Sequence, residues 1–194
     1  MPRCHQLAQR KVLYLHDRRR PDTQACGAVL AGLPGLTVHA PLWEDDPLGA
    51  TRFESLVSRA DQWLEPCALG LGLGFGAWLL LNAAAHRAAR GSSHPRLLLV
   101  DVPWRAGRLL PRQQAIAAAL GLGEAPCSLS TKRVHFLVSS PGGGDTSPIW
   151  AALSERAFPV ERCPGELGWR DDQAGAALLA YCARLIDETR AMMA

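Results

Sequence analysis

One stretch constrains this chain more than any other: "CALGLGLGFGAWLLLNAAAH", Cys67 to His86. Its four glycines, Gly70, Gly72, Gly74 and Gly76, fall at every second position between an apolar lead-in and an apolar, alanine-rich run. Three structures suit such a run. It could cross a membrane, cradle a dinucleotide, or form a sharp strand-to-helix bend that holds an attacking side chain.

The uncharged run from Pro66 to Arg87 is long enough for a membrane span. However, alternating glycines over its first half make poor helix, and basic residues do not flank it asymmetrically. The expectation is therefore no membrane span. The chain has 194 residues, 48% of them hydrophobic and 20% charged. That suits one globular α/β domain over residues 1–194, with enough chain to bury a core. The net charge is only +3 and is mixed along the chain, so no nucleic-acid footprint is expected. Only Lys11 and Lys132 of the 21 basic residues are lysine; the arginine excess fits either guanidinium recognition of anions or a GC-rich coding bias. The six cysteines show no CxxC and no zinc spacing, and the start has no apolar signal segment. These features predict reduced thiols, a cytoplasmic location, no metal and no cofactor.

Strand-like and helix-like segments alternate from end to end. Residues 10–17 and 35–43 read as strands, and 51–64 carries a helical apolar stripe. "CALGLG" reads as a strand, and 75–90 as a helix closed by Gly91. Residues 96–101 form a buried strand, 111–121 a helix, 132–145 a strand entering a glycine-rich loop, 147–157 a helix, 158–165 a last strand, and 171–192 a closing helix. This order predicts a mostly parallel sheet with helices on both faces. Its ligands would sit at the carboxyl ends of the strands.

"GLGFGA" (72–77) matches the G-x-G-x-x-A dinucleotide fingerprint, with Gly72, Gly74 and Ala77 at its fixed positions and Asp101 placed to meet a ribose. Two strand-like segments precede it, whereas that fingerprint usually occupies the first βαβ unit. A second reading uses more of the chain. "YLHDRRRPDTQ" (14–24), "GLGFG" (72–76), "FLVSSPGGGDTSPIW" (136–150) and "ERCPGELGW" (161–169) follow one another in order across residues 11–170. In that order they resemble the carboxylesterases and thioesterases of the α/β-hydrolase family. The resemblance implies a minimal α/β-hydrolase-like fold without a cap domain. It also implies an entry loop at His16 and Asp17, a nucleophile at residue 74, a triad acid at Asp145 and a histidine near Glu166 or Leu167.

The departures from that pattern fall on the chemistry. The family's serine is Gly74 here, and its histidine falls on Leu167, or on Glu166 with a shift of one. Neither can serve a Ser-His-acid triad, and losing nucleophile and base costs about a millionfold in turnover. The glycine that lends an oxyanion amide is Asp17, whose carboxylate repels a developing oxyanion. The expectation is a pseudo-hydrolase, with Gly74, Asp145 and Leu167 as degenerate triad positions. It would act by binding a small acyl or carboxylate ligand, or a partner protein, with His16, Asp17, Arg18, Arg19, Phe75 and Glu166 as binding candidates. Two enzymatic alternatives stay open: an esterase or thioesterase with an unconventional site, with Ser139 or Ser140 as hydroxyl donors, and a dinucleotide-dependent enzyme. Trp43, Trp104, Trp150 and Trp169 either line a pocket or contact surface, or simply pack.

Overall fold

The computed structural model describes residues 10–17, 25–32, 36–41, 50–102, 116, 119–120, 128–140, 148–164, 180 and 184. They begin with strand β1 (Arg10–Leu15), helix α1 (Ala25–Ala31), strand β2 (Leu36–His39), helix α2 (Ala50–Leu64) and strand β3 (Leu69–Leu73). Helix α3 (Phe75–Ala89), strands β4 (Arg96–Val100) and β5 (Val134–Ser140), helix α4 (Pro148–Glu155) and strand β6 (Val160–Pro164) follow. The six strands form one sheet in the order β2-β1-β3-β4-β5-β6, and every pairing is parallel.

The strand–helix alternation read from the sequence holds, with one addition. Helix α1 covers "ACGAVLA", which carries neither a helical apolar stripe nor a cap signal. Gly27 fits because its Cα runs close to Tyr14: a Cβ there would meet the Tyr14 ring at 3.2 Å. Tertiary contact, rather than local propensity, selects this helix. The expected helices at 111–121 and 171–192 fall largely outside the described residues; Ile116, Ala119, Ala180 and Arg184 are helical.

The register assigns the two faces. Leu13 pairs with Gly70, Gly70 with Leu97, and Leu97 with Val134. Paired residues of parallel strands point to one side, so Leu13, Leu15, Leu97, Leu99, Val134 and Phe136 share a face. Helices α2, α3 and α4 cover that face through Leu56, Leu64, Trp78, Leu80 and Leu153, all buried in one core. Phe136 touches Trp150 and Phe158, with ring centroids 5.9 Å away in each case. Trp150 is therefore packed against the sheet. The opposite face carries Tyr14, Leu71, Leu98 and Leu137, all buried, and α1 lies against Tyr14 on that side. Strands buried on both faces read as continuous apolar runs, as "RLLLV" does.

Candidate functional site

The chain winds outward in opposite directions from the centre of the sheet. From β1 it steps to β2 on one side, then returns to lay β3 on the other. At such a reversal the loops leaving adjacent strands part and open a crevice at the carboxyl ends. The loop after β1 begins with His16 and Asp17. The bend after β3 is Gly74.

Gly74 holds φ 52° and ψ −118°, a backbone region that side chains rarely tolerate. The bend is pinned on both sides. The Gly74 N–H donates to the Val100 carbonyl at 2.8 Å, and the Gly74 carbonyl accepts from the Trp78 N–H at 3.1 Å. Helix α3 therefore starts directly on the end of β3. Glycine at the neighbouring positions is required by close approach. A Cβ on Gly72 would stand 2.6 Å from the Cα of Ala77, and one on Gly76 would strike the Leu15 carbonyl, with its carbon 2.6 Å away. The glycine spacing in the sequence thus has two causes. Gly72 and Gly76 let α3 press on β3 and β1, while Gly74 takes the strained dihedral angles.

What fills the space beside Gly74 is Asp17. A Cβ added to Gly74 would collide with the Asp17 carboxylate, meeting Oδ2 first, then Cγ at 2.7 Å and Cβ at 3.0 Å. A side chain at the bend and the Asp17 side chain cannot share this volume. The acidic group placed by the sequence in the entry loop therefore lies against the elbow itself, at the amino end of α3, where a helix favours negative charge.

The neighbours are arranged by the same strands. His16 is buried, 6% exposed. Burial pushes its imidazole below the ordinary histidine range, and the nearby Asp17 charge opposes that shift. A histidine held neutral in this way sits within the electrostatic reach of Asp17. Phe75, a binding candidate from the sequence, is partly buried and lies edge-on to Phe53, with centroids 6.2 Å apart. Its ring joins the contact between α2 and α3 beside the bend.

Asp101 is the residue that sequence reasoning assigned elsewhere. It follows Val100, the acceptor for Gly74, and its own N–H donates to the Leu137 carbonyl at 2.9 Å. Its φ is 48°, uncommon for a residue with a side chain, though aspartate tolerates this region better than most. It stands at the same sheet edge as Asp17, one strand beyond Gly74. Only its position at the end of the strand after the glycine run hinted at this. The other expected site residues, Arg18, Arg19, Asp145, Glu166 and Leu167, lie outside the described residues, as do Trp43, Trp104 and Trp169. The backbones of Ser139 and Ser140 end β5.

The remaining described histidines are dispersed. His39 meets Trp63 edge-on at 6.3 Å, and Arg59 covers the Trp63 ring at 5.0 Å. His86 pairs with Asp61, and His94 is buried near the start of β4. His135 lies on β5, next to Leu98 of β4. Cys67 is a free, buried thiol; burial raises its pKa, against a smaller opposing effect of Lys11. Among the described residues no helix is long and apolar enough to cross a membrane.

No protein-family model matches the chain, and no curated protein matches it significantly. Solved structures do match in fold. The NocB thioesterase domain, solved with a fluorophosphonate nocardicin G analogue, is 21% identical, with 93% of this chain and 96% of that one covered at a TM-score of 0.55. A hyperthermophilic esterase from Pyrobaculum calidifontis is 15% identical, with 94% of this chain and 77% of that one covered at 0.58. An esterase/lipase from an uncultured bacterium is 12% identical, with 94% and 78% covered, also at 0.58. With a parallel sheet, a switch point between β1 and β3 and a glycine bend leading into α3, this chain has the α/β-hydrolase fold of those thioesterases and esterases.

Proposed function

We propose that the protein is a pseudo-hydrolase, an α/β-hydrolase-fold protein of the cytoplasm that acts by binding rather than by acyl transfer. One observation carries this reading: the space belonging to a nucleophile at the bend is taken by the Asp17 carboxylate. In this fold the bend projects an attacking oxygen, and backbone amides beside it stabilise the oxyanion. Here the bend residue has no side chain. A carboxylate in that position raises the energy of a developing negative charge instead of lowering it.

The same carboxylate bears on what the protein binds. A carboxylate ligand brought to the bend would meet a like charge, and an acyl oxygen would find an acceptor where it needs a donor. That favours a partner protein over a small acyl or carboxylate ligand. The dinucleotide alternative is disfavoured by topology, because the glycine run closes the third described strand rather than opening the first βαβ unit.

The test is hydrolysis of a panel of p-nitrophenyl esters and acyl thioesters by the purified protein. The expected result is turnover no faster than the uncatalysed reaction. Turnover that disappears with Ser139→Ala or Ser140→Ala would overturn the reading and restore the esterase alternative. A thermal shift with a nicotinamide dinucleotide that is lost in Asp101→Ala would restore the other.

A further inference from the structure

The end of the sheet opposite the Gly74 bend gathers positive charge among the described residues. There the strands begin and helices α2 and α3 end. Beneath β1, β3, β4 and β5, six described cationic side chains, Lys11, Arg87, Arg90, Arg96, Lys132 and Arg133, stand against two carboxylates, Asp61 and Glu65. Both lysines of the chain are among them. Asp61 already pairs with Arg87 and Arg90.

The register makes these cations a row. Val12 pairs with Leu69, and the Ala68 N–H donates to the Lys11 carbonyl at 2.9 Å, so Lys11 stands beside the start of β3. Leu69 pairs with Arg96, and the Leu97 N–H donates to the Arg133 carbonyl at 2.7 Å. Arg96, which opens β4, and Arg133, which directly precedes β5, are therefore neighbours at the starts of adjacent strands, which lie about 4.8 Å apart. Lys11, Lys132 and Arg133 are exposed.

Two of the guanidinium groups are held in place from within. Arg133 donates to the His94 carbonyl at 2.7 Å. Arg87 donates to the Ser93 carbonyl at 3.0 Å and to Asp61 Oδ1 at 2.7 Å. Burial keeps His94 below the ordinary histidine range, and the charges of Arg133 and Arg87 press it further down. Both arginines thus converge on one point from different elements. Fixed in this way, the exposed Arg133 guanidinium loses little freedom on meeting a carboxylate.

We propose that this strand-start edge is a docking face for an acidic protein surface. The proposal rests on the reading of the chain as a binding protein and names the chemistry of its partner. Asp61 and Glu65 interrupt the positive field, which disfavours a continuous phosphate chain. Carboxylates spaced along a partner helix, about 5–6 Å apart at successive turns, match cations spaced by the strands.

Fluorescently labelled poly-L-glutamate serves as the probe, followed by anisotropy at low and physiological salt. A single-stranded oligonucleotide and phosphatidylserine vesicles are titrated in parallel. Poly-L-glutamate is expected to bind, with an affinity that falls as salt rises. The double variant Lys11→Glu/Lys132→Glu should weaken binding by about tenfold or more, as reversal of complementary charges does. Both side chains are exposed, so the fold should survive; an unchanged melting curve checks this, and Arg133→Glu provides a second, independent variant. Arg184→Glu, whose partner Glu161 lies on β6, should bind like the parent. No binding of poly-L-glutamate, equal binding by the charge-reversed variants, or tighter binding of the oligonucleotide or the vesicles would overturn the proposal. None of these results produces ester turnover, so failure here is distinguishable from failure of the non-catalytic reading.

Discussion

Adding a side chain at Gly74 tests the central geometry. Two separate costs apply. A residue with a Cβ must adopt φ 52°, ψ −118°, which costs on the order of 1–3 kcal/mol. Its Cβ must also displace Asp17, whose Cγ would lie 2.7 Å away, an overpacking cost of roughly 1–3 kcal/mol. Gly74→Ala should therefore destabilise the protein by about 2–6 kcal/mol in all. At ~2–4 °C per kcal/mol for a chain of this size, the melting temperature should fall by roughly 4–24 °C. Asp17→Ala removes the carboxylate, leaving only the residue-17 Cβ at 3.0 Å, and leaves the dihedral strain. In the double variant Gly74→Ala/Asp17→Ala the steric part should return, giving a favourable coupling of about 1–3 kcal/mol, within the range of directly contacting residues. The assay is urea unfolding of the parent, both single variants and the double variant. Strictly additive effects would show that Asp17 does not occupy the bend, and an undisturbed Gly74→Ala would show that the bend itself is elsewhere.

Three further outcomes follow from the same structure. Gly72→Ala and Gly76→Ala should each cost ~3 kcal/mol or more, because their new atoms strike backbone rather than a movable side chain; yield of folded protein measures this, and Asp17→Ala should not rescue either. Asp61 is buried and accepts bonds from Arg87 and His86 and the charge of Arg90. Burial alone would raise its pKa, but those partners outweigh it and hold the carboxyl below the usual range. The stability this group contributes is intact above about pH 4 and is lost as pH falls further through its folded pKa; with Arg90 and His86 largely exposed, Asp61→Ala should cost about 1–3 kcal/mol at neutral pH, read by thermal denaturation across pH. His16 and His94 are both shifted downward, chiefly by burial, so the folded state binds fewer protons than the unfolded state below about pH 6.5 and stability should decline as pH drops through that range. Because Asp17 raises the His16 pKa, Asp17→Asn should lower it further, which imidazole NMR titration would show; an upward shift would refute the placement of the two groups.

Much of the architecture was legible because both faces of the sheet are buried. Runs such as "RLLLV" have one physical use in a chain of this composition, and the glycine-to-helix transition at residue 74 marks its own bend. Helix α1 was not legible, since "ACGAVLA" becomes helical by packing on Tyr14 and carries no local signal for it. At the site, the sequence placed His16, Asp17 and Gly74 on neighbouring loops. It could not reveal that the Asp17 side chain stands where a Cβ at residue 74 would go, because that depends on strand register. Asp101 was open to reading as a ribose ligand because the fingerprint that drew attention to it implied one. Its place beside the bend follows from the hydrogen bond between Gly74 and Val100, which no spacing rule encodes.

The sheet order also has a kinetic consequence. From β3 to β6 each new strand pairs with the one just before it in the chain, so that half can zip outward by short closures. The contact between β1 and β3 is different: it joins Leu15 to Gly72 across an intervening excursion through β2, the longest detour between paired strands. Closing long detours slows folding. Gly74 and Asp17 lie on either side of that seam, so their contact forms only once β1 and β3 have paired. A nascent or partly unfolded chain would lack it altogether.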